Sequence, residues 1–153
     1  MSSARGVSLV ETLVVIGILA IMAALTFETY VSVDVNKALD TDAERIVAEL
    51  SHARSLTIGS KNSTPWGVHI ASTSVTLFAG DTYIEGAGGN VVSSLHPRVG
   101  ITNIALLGGA TDIVFQRLTG NTTTTGTITL SYVASSSIAR TITIYGTGVA
   151  NVQ

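Results

Sequence analysis

The 153-residue chain has no cysteine, only two prolines and few aromatic residues, and 12% of its residues are charged. The absence of cysteine excludes disulfide bonds, thiolate zinc sites and cysteine nucleophiles. Eight basic and ten acidic side chains give a net charge of -2, so no global attraction to nucleic acid or an anionic membrane follows. Hydrophobic residues nevertheless reach 46%, and the excess is concentrated near the N-terminus.

That N-terminal excess forms one continuous apolar stretch. Residues 7–27 contain no proline and a single charge, Glu11, in the sequence VSLVETLVVIGILAIMAALTF. About 20 helical residues, at about 1.5 Å each, cross the roughly 30 Å hydrocarbon core of a bilayer. Arg5 and the amino terminus lie ahead of the stretch and favour a cytoplasmic N-terminus. The sequence therefore predicts a transmembrane helix whose following residues lie outside the cytoplasmic membrane.

A cleaved secretory signal is the first alternative for this stretch. Such a signal ends in a small-x-small cleavage site, which the sequence AIMAALT does not supply. Glu11 has two interpretations. The first is that it has a specific partner, because a carboxylate in an apolar segment is costly in lipid. It can equally lie at the interface or stabilise a helix N-terminus.

Residues 1 to about 33 resemble the class III leader and N-terminal helix of type IV pilins and pseudopilins. The likeness rests on Gly6 followed by VSLVE and TLVVIGILAIMAAL, in which glycine, glutamate and apolar span keep fixed spacing. It implies a leader at 1–6, cut between Gly6 and Val7 by a prepilin peptidase that also methylates Val7. It further implies that Glu11 pairs with the N-terminal amine of a neighbouring subunit. Two residues differ from the usual pattern: Val7 replaces a common phenylalanine, and Glu28 a common proline.

Small residues in the apolar stretch predict close packing between helices. Small side chains let helix backbones approach one another in membranes. The stretch contains four of them that we expect to contact neighbouring subunits: Gly17, Ala20, Ala23 and Ala24.

A second helical segment follows the apolar stretch. Apolar residues recur at steps of three and four and share one helix face: Leu39, Ala43, Ile46, Leu50 and Ala53. Arg45 and Glu49 are one turn apart and can pair weakly, and Gly59 supplies a helix stop. We expect one helix over 7–58, comprising a membrane part at 7–33 and an amphipathic part at 34–58 whose apolar stripe packs against a sheet.

Residues 59–153 have the texture of a β-rich extracytoplasmic domain. Short β-branched runs recur every 8 to 12 residues or so, separated by turn residues: WGVHI, SVTLFAG, NVVSSLH, RVGITNIALLGG, TDIVFQR, GTITLSYV, ARTITIYG and GVANV. They predict an antiparallel meander or sandwich, with a hairpin turning at 134–137. The fold class expected is α+β, a long helix packed on antiparallel sheet.

Residues 46–153 resemble the globular region of the GspH/FimT group of minor pilins and pseudopilins. The similar segments are ELSHARSLTIGSKNSTPWGVHI, DIVFQRLTGNTTTTGTITL and RTITIYGTGVANV. The resemblance implies a structural subunit of a type IV pilus or type II secretion-like filament at the cell surface. Its implied partners are the prepilin peptidase, other pilin subunits, the membrane and the inner-membrane assembly machinery.

Catalytic and metal-binding patterns are weak. His52, His69 and His96 are expected on a helix, a strand and a loop, with no i, i+4 pair and no carboxylate cluster nearby in sequence. The chain contains neither a G-x-S-x-G elbow nor a phosphate-binding G-x-x-x-x-G-K-[ST] sequence. We therefore expect no enzymatic activity, no cofactor and no metal.

Two other functions remain open. The first is a signal-anchored surface protein that binds a ligand and does not polymerise. The second is a DNA-capturing tip subunit for transformation, since some members of the resembled group bind DNA through a basic tail. The tail TGVANVQ has no Lys or Arg, and Arg98, Arg117 and Arg140 are isolated in sequence, so DNA binding lacks a basic run.

Overall fold

The fold begins with a single long helix, α1, at Leu9–Ile58. A computed structural model describes residues 7–59 and 63–153, and inside the helix the side chains of 25–33 are not described. The expected long helix is confirmed but begins at Leu9 and not at Val7, and it ends where predicted, with the Gly59 N–H donating to the Ser55 carbonyl at 2.9 Å. Within the described residues no helix was found that is long and apolar enough to span a membrane. The chain divides into two compact units, Met1–Asp34 and Val35–Gln153, and the boundary lies within α1.

After the helix, the described residues form eight strands in two sheets. They are β1 Trp66–Ile70, β2 Ser74–Ala79, β3 Val91–Ser94, β4 Val99–Leu106, β5 Asp112–Val114, β6 Gly126–Tyr132, β7 Ser135–Ile144 and β8 Ala150–Val152. The first sheet has the order β3-β2-β1-β5 and the second the order β4-β6-β7-β8. All the described strand pairs are antiparallel, so the predicted α+β class is confirmed.

The strand order differs from a simple meander at β5. This short strand lies between β4 and β6 in sequence, yet it pairs with β1 of the first sheet, where Val68 faces Ile113. The hairpin of β6 and β7 is confirmed, but its turn lies at Val133–Ala134 and the serines 135–137 belong to β7. A register shift next to Tyr132 accommodates this earlier strand start.

The second part of α1 supplies the centre of the core. The predicted stripe is buried throughout, with Leu39, Ala43, Ile46, Leu50 and Ala53 at most 1% exposed. Polar contacts tie the helix to both sheets: the Ser93 hydroxyl in β3 donates to Glu49 at 2.8 Å, and Arg140 in β7 donates to Asp40 at 2.6 Å. The expected helix-on-sheet packing is therefore present, and one helix holds both sheets.

Two buried polar side chains on the helix make hydrogen bonds to other parts of the second unit. Asp42 is 2% exposed and accepts a hydrogen bond from the His96 backbone N–H at 2.7 Å. The other oxygen of Asp42 lies 3.7 Å from Arg45. Arg45 therefore pairs with Asp42, whereas helix spacing had suggested a pair with Glu49. Thr57 donates to the Ala53 carbonyl at 2.9 Å and accepts from the Trp66 N–H at 2.9 Å. This last contact joins the end of α1 to the start of β1.

Candidate functional site

The residues predicted to direct processing and assembly lie around the start of α1 in sequence. Val7 precedes the helix and is exposed, and Glu11 lies exposed in the first turn. A carboxylate at this position is stabilised by the unpaired N–H groups of the helix N-terminus. Gly6 lies outside the described residues, and so does the peptide bond predicted to be cut.

The first unit presents a continuous apolar surface. Every residue from 7 to 24 is exposed. The large apolar side chains that are at least 49% exposed are Val7, Leu9, Val10, Leu13, Val14, Val15, Ile16, Ile18, Leu19, Ile21 and Met22. Apolar patches of this extent mark contacts with other proteins or with a membrane, because leaving them in water is unfavourable.

The small residues predicted to pack between helices lie within this surface. Gly17, Ala20 and Ala24 follow one another at steps of three and four and therefore share a helix face, while Ala23 lies beside it. All four are exposed, and a Cβ added at Gly17 would meet no atom within 4 Å. Among the described residues, this face is therefore an exposed stripe of small side chains.

A second candidate site lies on the first sheet. Antiparallel pairing sets His69 in β1 opposite Thr76 in β2 on one side and opposite Asp112 in β5 on the other. Side chains alternate along a strand, so these three share one face of the sheet, while Val68 and Ile70 occupy the opposite, buried face. Across β1 and β5 the His69 Nδ1 and Asp112 Oδ1 atoms are 2.6 Å apart.

The loop between β2 and β3, residues 80–90, folds back over the same face. Its Tyr83 ring stacks on His69 with centroids 4.0 Å apart and planes 6° apart, and meets Phe78 edge-on at 5.6 Å. Phe78 is only 1% exposed, and its ring lies over Gly67, where a Cβ would be 2.7 Å from the Phe78 Cζ. The glycine in β1 therefore makes room for the aromatic cluster.

Hydrogen bonds inside the loop fix its far side. Asn90 donates from Nδ2 to the Ile84 carbonyl at 2.8 Å and from its backbone N–H to the Ala87 carbonyl at 3.0 Å. Gly86 has a φ of 74°, a left-handed conformation that suits glycine. Between this loop and β1, β2 and β3 lies an open groove of about 720 Å³, bordered by His69, Ser74, Thr76, Tyr83, Glu85 and Asn90 among others.

Sequence reasoning did not find this groove. His69 and Asp112 are 43 positions apart in sequence. The alternation of side chains predicts which face of its strand each residue is on, but not that the two strands are neighbours. The three histidines do not converge: His52 Nδ1 lies 4.0 Å from Glu49, and His96 Nδ1 accepts the Arg98 backbone N–H at 3.2 Å. In the part of the chain that the structure describes, no group of three His, Asp or Glu residues is arranged to hold a metal ion.

Two family models match the chain in complementary places. The model described as prokaryotic N-terminal methylation motif matches residues 1–27. The model described as type II transport protein GspH matches residues 42–148, more than two thirds of the chain. Neither the curated proteins nor the solved structures give a significant match. The chain therefore belongs to the GspH family of type II secretion pseudopilins: it is a structural, non-enzymatic subunit with a prepilin methylation motif that implies a membrane anchor.

Proposed function

We propose that this pseudopilin is a minor subunit of a type II secretion filament, inserted with its N-terminus in the cytoplasm and polymerised through α1. Its family implies processing by a prepilin peptidase and assembly with other pseudopilins. The observation that carries the finer proposal is the exposed apolar surface of residues 7–24, which lies within the segment that the methylation-motif model matches. We divide the chain into a leader at 1–6, a membrane and polymerisation helix at 7–33, an amphipathic helix at 34–58 and an extracytoplasmic domain at 59–153.

Cleavage between Gly6 and Val7 places a new amine four residues before Glu11. In a helix bundle of low dielectric constant, opposite charges attract strongly, and this attraction offsets part of the cost of removing both from water. We assign Glu11 to pairing with the N-methylated amine of Val7 on a neighbouring subunit. That pairing sets the axial position of one subunit relative to the next, because a shift of one turn leaves a buried charge unpaired.

The remaining surface of the helix supplies the packing. Lipid chains are as apolar as leucine, so helices in a membrane gain little from hydrophobicity alone and associate through close contact. Gly17, Ala20, Ala23 and Ala24 provide that contact in this proposal. When a subunit leaves the membrane, contacts between its helix and lipid are replaced by contacts with the helices of other subunits in the filament.

The proposal is tested by expressing the full chain with a prepilin peptidase and the assembly machinery of the same system. We expect intact mass spectrometry to show loss of residues 1–6 and one methyl group on Val7. In the Glu11→Ala variant we expect unchanged membrane insertion and domain folding, but about a tenfold lower amount in the sheared filament fraction, the effect of losing about 1.4 kcal/mol per contact. Thr12→Ala is the matched control and should assemble normally.

An uncut leader would contradict the proposal and favour the signal-anchored surface protein. Normal incorporation of Glu11→Ala into the filament would refute the pairing role of Glu11 but would not contradict cleavage after Gly6. A DNA-capturing role has less structural support, because Arg140, one of the three isolated arginines, already pairs with Asp40.

A further inference from the structure

We propose that the groove beneath the 80–90 loop is a docking site for an arginine side chain carried by an extended segment of a partner protein. The site lies wholly within the second unit and uses none of the residues assigned to cleavage or polymerisation. It is therefore a function beyond filament formation.

The charge of the groove favours a cation. Glu85 borders it and is exposed, and no ion pair involving Glu85 is found among the described residues. The described residues that border the groove include no Lys or Arg. Asp112, the other nearby carboxylate, is already held by His69. One carboxylate thus remains for a ligand.

The other polar groups of the groove also suit a donor-rich ligand. Asn90 uses its Nδ2 on the Ile84 carbonyl, which leaves its amide oxygen as an acceptor. The Ser74 and Thr76 hydroxyls border the same space and can accept as well. Arginine presents five N–H donors in a planar fork that fits a carboxylate with two parallel bonds, whereas lysine offers a single compact charge.

The Tyr83 ring adds a surface for the guanidinium plane. Cations are attracted to the face of an aromatic ring, and arginine makes such contacts more often than lysine. Stacking on His69 fixes the orientation of this ring, and the 2.6 Å contact with Asp112 fixes His69 in turn. Because these groups are held before binding, little conformational entropy is lost when a ligand arrives.

The size and position of the groove indicate a peptide and not a free ion. Its volume of about 720 Å³ lies inside the roughly 300–1,000 Å³ range of ligand pockets and exceeds one arginine side chain. β3 is an edge strand, and Val92 on it is 60% exposed beside the groove. An extended segment can approach along this edge and lay an apolar neighbour of the arginine on Val92.

The test is an NMR titration of the isotope-labelled full chain in detergent micelles. The probes are two capped pentapeptides of alanine, identical except for a central arginine or its neutral isostere, citrulline. We expect the arginine peptide to shift the backbone amides of Tyr83, Glu85, Ala87 and Asn90 at millimolar concentration, and the citrulline peptide to leave them unchanged. Glu85→Gln should weaken arginine-peptide binding about fivefold, as for loss of an exposed ion pair.

Asp81→Asn is the matched control, since Asp81 is an exposed carboxylate of the same loop that does not border this groove. It should bind the arginine peptide as the unchanged chain does. Equal shifts with the citrulline peptide, or equal binding by Glu85→Gln, would overturn the proposal. It would also be overturned if only unlabelled copies of the chain, or only an oligosaccharide, produced shifts at these amides.

Discussion

The two ends of α1 both carry apolar residues, but these residues have opposite surroundings. Ile16 in the first unit is 62% exposed, whereas Ile46 in the second is 0% exposed. The second part of the helix has its apolar stripe covered by this chain's own sheets. The first part has apolar residues on every side, and every residue from 7 to 24 is exposed. One helix is therefore a core element at one end and an exposed apolar surface at the other.

We expect this difference to separate residues that affect stability from residues that affect assembly. Changes in the buried end should lower the free energy of unfolding of the β-rich domain, because that domain is packed on it. Changes in the exposed end should leave that free energy unchanged and act on membrane or subunit contacts. Each test below compares a substitution at a packed position with a matched substitution at an exposed position. Equal effects at the two positions would contradict this separation.

The largest expected effect is the loss of Ile46. Ile46→Ala leaves a cavity at the centre of the core and should lower the free energy of unfolding by about 4 kcal/mol. Ile16→Ala removes the same atoms from an exposed position and should change it by less than about 0.5 kcal/mol. Urea unfolding of the full chain in detergent, followed by the fluorescence of Trp66, measures both. Equal losses would show that the first part of α1 also supports the domain.

A smaller loss is expected where two loops meet the end of α1. Gly148 has a φ of 76°, and a Cβ there would lie 2.0 Å from the Gly120 carbonyl oxygen. Gly148→Ala should therefore cost about 3 kcal/mol, since backbone must move to relieve the overlap. Gly88→Ala is the control, because its Cβ would meet no atom within 4 Å. Thermal unfolding should separate the two variants, and a stable Gly148→Ala protein would contradict this packing.

The smallest loss concerns two threonines that make the same helical hydrogen bond. Thr57 and Thr12 each donate to the carbonyl four residues earlier, at 2.9 and 3.1 Å, but only Thr57 is buried and accepts the Trp66 N–H. Thr57→Val strands that N–H and should cost about 2 kcal/mol, while Thr12→Val should have little effect. Amide hydrogen exchange at Trp66 checks the cause: its protection should fall only in Thr57→Val.

Local sequence signals were sufficient where neighbouring residues decide the structure. The spacing of Leu39, Ile46 and Leu50 predicted the buried face of α1, and Gly59 predicted its end. The β-branched runs gave the eight strands. In the hairpin, however, alternation did not show that Ser135 already belongs to β7, because serine is compatible with both turn and strand.

Long-range pairing was not accessible in the same way. The Arg45–Glu49 pair that helix spacing allowed is not found among the described residues: Asp42 lies close to Arg45, and Ser93, brought in by β3, binds Glu49. The groove was missed for a similar reason: the 80–90 loop folds back over β1, β2 and β3, and β5 returns to the first sheet, where Asp112 contacts His69.

The sequence by itself determined the helix, the strand set, the family and the positions predicted for processing and assembly, since these depend on composition, spacing and short motifs. Tertiary structure decided which strands are neighbours, and with them the contacts of His69, Tyr83 and Asp112. The physical reason is that periodicity records which face of an element is apolar, whereas partners distant in sequence are selected by the packing of the whole chain.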